Sequence, residues 1–580
     1  MPWSRARRVA LAVPLLLGGG FLLGYVYFRA RGNSLLQSNG QAWLAQRIST
    51  LSDSVYDARL HRLHYEPATR SLRFDSLVVT TRVVHNQERL DPLPTLTLSV
   101  HRGRVTGLDL WEALLGQRIR ANEVGFDSVT AIVVLPAIFR DSTGAARVDS
   151  TASQDPIGTP SAPTMVVVGG VPAGVRARAL AMVKRVRFEN IRGRLVIPLE
   201  EKEEELELSN LSLRLDDVAF DASRGATTPF HVKDIRVDAH DFVGELGSSH
   251  LAFAGLEGSF ADSALVLDSL RFGPKGGDEG YMKGRRHRGT RAQVGFGRMQ
   301  VAGLDWNGLI RSSGLAVRRV EVEKLELDLL LDKRLPANPV HKPRLYVQKF
   351  VQRLRTTVSV DSILLRDARV QYAERAPGSA KAGRLRFEHI NGSIANLSND
   401  PRRQTDSTPL RLSARAKLMG SGTLDAVIEL PLLADGLDGR YRAELGPMDA
   451  SELNELVTPL AGIAFKSGAL TSLVLSARVR DGVYDGTLVP QFRDLGVDFP
   501  QSAAQKKREG GIGGFFKGIG RGVKEIAANT AVRDNNPAKP GEKPVTGHVH
   551  FVRRPWDSFW SGIWQSLKPA LKESIISIDL

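Results

Sequence analysis

The chain has 580 residues, no cysteine and a formal net charge of +16 at pH 7, from 79 Lys and Arg against 63 Asp and Glu. The absence of cysteine excludes disulfides, thiolate metal sites and cysteine nucleophiles. With 42% hydrophobic and 24% charged residues the chain has a folded protein's composition, and its positive charge favours anionic surroundings, either phospholipid head groups or nucleic acid.

Residues 1–8 form a short tail carrying Arg5, Arg7 and Arg8, and Val9 to Phe28 is an uncharged run of 20 residues. That length spans a bilayer. A cleaved signal peptide has a shorter apolar core that ends in small residues, whereas this run ends in Tyr25, Val26, Tyr27 and Phe28, so an uncleaved transmembrane anchor over 9–28 is expected. The arginines ahead of the span place the N-terminus in the cytoplasm and the bulk of the chain across the membrane, against a weaker opposing bias from Arg29 and Arg31. Residues 29–60 read as a helical connector, with Leu36, Trp43, Leu44, Ile48 and Leu51 as its apolar positions.

From residue 61 onward the dominant pattern is a pair of alternating apolar residues, a two-residue polar step, and a second pair. It occurs at Leu72, Phe74, Leu77 and Val79, at Ile119, Ala121, Val124 and Phe126, at Leu206, Leu208, Leu211 and Leu213, at Phe230, Val232, Ile235 and Val237, and at Leu265, Leu267, Leu270 and Phe272. Residues i and i+2 share a strand face, and a two-residue step shifts the count by one, as a bulge does, so successive pairs face the same side. A first β unit is assigned to 61–245, containing a Ser/Thr/Ala/Pro-rich loop at Asp141 to Thr164 and a helix at about Pro172 to Arg185.

The second β unit, 246–430, repeats the first. Gly107 to Val133 lies over Gly303 to Leu329 without a gap, at an offset of 303 − 107 = 196, and FDSL from Phe74 matches LDSL from Leu267 at 267 − 74 = 193. Its centre is a continuous apolar face at Leu315, Val317, Val320, Val322, Leu325, Leu327 and Leu329, with Val124, Phe126 and Val129 as the counterparts in the first unit. A helix at about Pro343 to Thr357 with Tyr346, Phe350 and Leu354 on one face precedes further strands. A partial third unit spans 431–505 and holds a helical insert at Ala450 to Val457.

The segment 506–530 breaks the pattern. Phe515, Phe516 and Ile519 are helically spaced among glycines and lysines, which reads either as a membrane-surface helix or as a glycine-rich loop with docked aromatics. Residues 545–580 hold a strand and then a helix beginning at Pro555, with Trp556, Phe559, Trp560, Ile563, Trp564 and Leu567 on one stripe. This stripe suits core packing, the cap of an open β end, or a membrane interface, with Trp556, Trp560 and Trp564 as the interfacial candidates.

No residue pattern supports catalysis. The close histidine pairs His61/His64 and His548/His550 lack a third ligand at metal spacing, and GxxxxGK[ST], HExxH and GxSxG are absent, so no metal site, cofactor or enzymatic step is expected. The acidic run Glu200 to Glu205 reads as a hairpin loop. The basic run Lys283, Arg285, Arg286, His287 and Arg288 reads as a solvated loop or a phosphate contact. A nucleic-acid partner would rest on charge alone and conflicts with export from the cytoplasm.

The anchor, the connector, GLDLWEALLG and GLDWNGLI, the strands VSVDSILLRDARVQY and GRLRFEHINGSIANL, and MDASELNELVTPLAGIAFKSGAL from Met448 together resemble the AsmA-like superfamily, the AsmA, TamB and YhdP type of Gram-negative envelope proteins. The resemblance covers most of Leu60 to Phe499. It implies a mostly β fold with flanking helices, in which an N-terminal transmembrane helix precedes an elongated, repeated, groove-like twisted β-sheet. It further implies inner-membrane anchoring with the bulk of the chain in the periplasm, and phospholipid transport or outer-membrane biogenesis, with phospholipid, the inner membrane and envelope proteins as partners. The alternative is a structural tether or assembly factor for outer-membrane proteins that carries no lipid.

Overall fold

A computed structural model describes residues 56–66, 69–81, 95–108, 119–134, 166–168, 171–198, 203–220, 230–306, 314–340, 346–498 and 530–578, apart from a few isolated positions. The expected anchor at 9–28, most of the connector, the loop at 141–164 and the segment 506–529 lie outside them. The described chain is mostly β, and its ladders are mostly antiparallel. It divides into two compact units, one running to Ser269 with Gln300–Ala316, the other comprising Leu270–Met299 and Val317 onward.

In the first unit β1 (Tyr56–Glu66), β2 (Ser71–Thr81) and β3 (Thr95–Thr106) form an antiparallel meander. β1 starts within the expected connector, because Tyr56, Ala58 and Leu60 register against β2. β4 (Ile119–Phe126) and β5 (Val129–Val134) both pair antiparallel with β3. After the short β6 (Val166–Val168) and helix α1 (Ala173–Arg178), β7 (Ala181–Pro198) runs parallel to β4 and β5. The helix is shorter than the sequence pattern predicts, since residues from Ala181 onward are held in the ladder to β4. β8 (Glu203–Phe220) returns antiparallel along β7, and Glu203 to Glu205 of the acidic run lie in this strand. β9 (Phe230–Val232), β10 (Asp234–Leu246) and β11 (Ser249–Ser259) follow, and β12 (Ala264–Pro274) crosses into the second unit.

The second unit contains α2 (Gly277–Met282), most of β13 (Thr290–Leu304) and β14 (Leu315–Glu323), and β15 (Glu326–Asp332). The expected long helix before β16 is the short α3 (Val347–Gln352). β16 (Val358–Arg375), β17 (Gly383–Ser398), β18 (Leu410–Leu418), β19 (Gly422–Leu430) and β20 (Gly439–Leu445) come next. β21 (Met448–Asp449) leads through a 3-10 turn at Ala450–Leu453 into α4 (Asn454–Ala461). β22 (Ala464–Arg480), β23 (Val483–Asp498), β24 (Thr530–Val532), β25 (Gly547–Val552), α5 (Phe559–Ile575) and β26 (Ile576–Ile578) complete the chain. β10 and β11 form one hairpin across residue 246, and β19, β20, β22 and β23 form an unbroken series of ladders across residue 431.

The polar steps have a common physical form. In Asp127–Ser128, Glu189–Asn190, Ser209–Asn210, His240–Asp241, Glu323–Lys324, Arg366–Asp367 and Glu388–His389 the second residue is left-handed, with φ between 49° and 56°. Short polar side chains tolerate that region better than branched or bulky apolar ones. The register shifts between Phe188 and Ile191 and between Leu365 and Ala368 fall at two of these steps. Residues three apart therefore share a face. Ala239 and Phe242 are both buried, as are Phe126 and Val129. In β2 the step is instead made by the neighbouring strands, where Arg62 and Arg102 are left-handed opposite Asp75.

The same pairing order recurs in the two units: β3 with β5, β5 with parallel β7 and β7 with β8, then β13 with β15, β15 with parallel β16 and β16 with β17. Local details recur with it. The Leu108 amide donates to the Arg70 carbonyl and the Leu304 amide to the Ser263 carbonyl. Gly107 and Gly303 precede these amides with φ of 63° and 68°.

Candidate functional site

The ten apolar-face positions fall into two environments. Val124, Phe126 and Val129 are at most 1% exposed, and Phe126 stacks on Phe188 at 4.5 Å and tilts against Phe74 at 6.0 Å. Around them the first unit's face is filled by its own side chains and is core, not open groove. Val317 and Val322 are also buried, whereas Leu315, Val320, Leu325, Leu327 and Leu329 are half-buried.

Cross-strand register aligns the half-buried residues of the second unit in rows. Leu327 pairs with Val370, Val370 with Phe387 and Phe387 with Leu418, while Leu329 pairs with Tyr372 and Tyr372 with Leu385. A third row runs Ile363, Ile394, Leu412, Ile428 and Tyr441. Every residue in these rows is half-buried except Tyr441, which is buried under α5. The rows thus lead from a partly solvated apolar face to a covered end.

The cover is built by α5, with α3 beside it. Phe559, Ile563, Leu567, Ala570 and Leu571 of α5 and Val347 and Val351 of α3 pack with Leu430, Tyr441, Leu475, Val479, Tyr484 and Leu488. The helix sits close. A Cβ at Gly562 would lie 2.2 Å from the Tyr484 hydroxyl, and one at Gly547 would lie 2.0 Å from the Ala570 carbonyl oxygen. The Tyr484 hydroxyl donates to the Phe559 carbonyl at 3.3 Å, and the Tyr441 and Ser566 hydroxyls hydrogen-bond at 3.1 Å. Burial pushes the Tyr441 hydroxyl up to about 12 and raises that of Tyr484 as well.

This arrangement changes the aromatic stripe. The helix starts at Phe559, four residues later than expected, because Asp557 accepts hydrogen bonds from Arg554 in the preceding turn. The ridge facing the sheet is Phe559, Gly562, Ser566, Ala570 and Ser574, mostly small residues, since bulky ones would hold the helix off Tyr441 and Tyr484. Trp560 is 64% and Trp556 37% exposed, while Trp564 packs against Ala376, Leu456, Val457 and Leu460. Phe515, Phe516 and Ile519 lie outside the described residues.

A buried polar group borders this cluster. The Lys333 ammonium donates to Glu374 at 2.6 Å and the Tyr372 hydroxyl donates to the same carboxylate at 3.0 Å, with Lys333 and Glu374 almost wholly enclosed. Burial raises the Tyr372 hydroxyl, and the Glu374 charge adds to it. The alternation of strand residues did not reveal this pair, because its members are 41 residues apart and meet only through the parallel β15–β16 ladder.

Among the described residues no three metal-ligating side chains converge, and no helix is long and apolar enough to cross a membrane. The basic run at 283–288 forms turns in which Arg285 stacks over Tyr281 at 3.9 Å. Compared with models of known families and with curated proteins, the chain matches none.

Proposed function

We propose that this is a lipid-handling envelope protein of the AsmA-like type, anchored in the inner membrane by residues 9–28 with its β units in the periplasm. Acyl chains lie against the apolar rows of the second unit, head groups stay in water, and no bond is made or broken. The observation that carries this reading is the run of half-buried apolar side chains from Leu327 across Val370 and Phe387 to Leu418. A sheet face needed only as core is enclosed, as it is around Val124, Phe126 and Val129, whereas a contiguous, partly solvated apolar surface suits a binding site. The sequence resemblance supports the same cargo.

The test is lipid extraction from the full-length chain purified in a non-lipid detergent, followed by phospholipid transfer between vesicles. Co-purifying phospholipid and transfer that is lost in Leu327→Asp are expected. A chain that carries no phospholipid and transfers none overturns the proposal, and envelope crosslinks to specific proteins would then favour the tether.

A further inference from the structure

Trp560, Trp564 and Lys568 stand at i, i+4 and i+8 on α5 and so form one stripe along the helix, beside the small-residue ridge that meets the sheet. The stripe grades from solvent to cover. Trp560 is largely exposed, Trp564 rests on the Leu456–Leu460 cluster with Tyr372, and Lys568 is half-buried with its ammonium 6.0 Å from the Trp564 ring centroid.

The charges around Lys568 do not balance. Its ammonium donates to the neutral Gln565 side chain at 2.8 Å. The charged groups facing it are Lys333 and Glu374 from the β15 and β16 ends and Arg554 and Asp557 from the turn before α5. Both carboxylates are already engaged, Glu374 by Lys333 and Tyr372, and Asp557 by Arg554 at 2.9 Å. Lys568 is the third cation beside two anions, in a place that solvates it poorly. Burial, and next the Lys333 charge, hold its ammonium below the ordinary lysine range.

We infer that the Trp560, Trp564 and Lys568 stripe is a docking site for an anionic phospholipid, whose headgroup phosphate meets the Lys568 ammonium while its first acyl carbons lie on the two indoles. The third cation then gains its counter-ion, and the exposed indole gains an apolar cover. The inference rests on the lipid-handling reading and adds to it a preference for negative headgroups, which the apolar rows alone do not give.

Native mass spectrometry of the full-length chain in a neutral detergent tests it with three probes: dihexanoyl phosphatidic acid, the uncharged dihexanoyl glycerol, and inorganic phosphate. Phosphatidic acid should bind about tenfold more tightly than the glycerol, the worth of one charge-assisted contact. Lys568→Gln should abolish that preference and Lys568→Arg should keep it, with melting temperature recorded for both to separate binding from folding. Equal binding of the two lipids by the wild type, or a preference that survives in a folded Lys568→Gln, overturns the site and leaves the lipid-handling reading standing. If neither lipid binds, both readings fall. Inorganic phosphate binding as tightly as phosphatidic acid overturns the lipid assignment.

Discussion

Phe126 and Leu327 both occupy apolar positions of the strand pattern, but their surroundings differ. Phe126 is fully enclosed between Phe74 and Phe188, so Phe126→Ala leaves a cavity that the sheet cannot close and should cost about 3–5 kcal/mol in denaturant unfolding. Leu327 keeps part of its side chain in water, so Leu327→Asp should leave a cooperative unfolding transition while lipid binding is lost. Val322, at 8% exposure, should behave like Phe126 when a charge is introduced. A Leu327→Asp protein that unfolds as readily as Val322→Asp would place Leu327 in the core. The buried Lys333–Glu374 pair gives a second test at this scale. Glu374→Ala strands an enclosed ammonium and should cost about 3–5 kcal/mol, measured the same way.

At the scale of one element, α5 depends on a close fit. Gly562→Ala drives a methyl into the Tyr484 hydroxyl, which is wholly buried and hydrogen-bonded to the helix, so a loss of about 1–3 kcal/mol and a lower melting temperature are expected. Trp564→Ala should lower melting as well, but Trp560→Ala should not, because only Trp564 packs on the Leu456–Leu460 cluster. Docking should also weaken at alkaline pH. An acid whose folded value is raised contributes stability that is intact below its unfolded value and lost as pH climbs through the folded one. For Tyr441 that window runs from the ordinary value of 10.0 to about 12. Unfolding free energies should fall across it, and Tyr441→Phe should flatten the fall; an unchanged slope would mean that Tyr441 ionises as freely in the folded chain as in the unfolded one.

For the whole molecule, a net charge of +16 predicts association with anionic vesicles that weakens steeply as salt rises, because counter-ions screen charges beyond a Debye length of about 8 Å at physiological ionic strength. Co-sedimentation with anionic and neutral vesicles at low and high salt checks this, and binding insensitive to both lipid charge and salt would contradict it. Strand identity was legible at this scale because the period of two and the two-residue polar steps are local properties. They mark β2, β4, β8, β10, β12, β14 and β15 directly, and Asn190, Asp241 and Asp367 occur where a left-handed residue is needed. Helix lengths were less legible. α1 ends ahead of Ala181, which strand pairing claims, α3 spans only Val347–Gln352, and α5 starts late because Asp557 organises the turn before it. By itself the sequence determined the β class, the bulged strand pattern and the recurrence of one stretch at an offset of 196 residues, all of which follow from the order of apolar and polar side chains. Only the tertiary structure decided which apolar faces are filled, as at Phe126, and which stay partly open, as at Leu327, because enclosure depends on the elements folded over a face. It also decided that α5 meets the sheet through Gly562, Ser566 and Ala570, since a helix approaches most closely where its side chains are smallest.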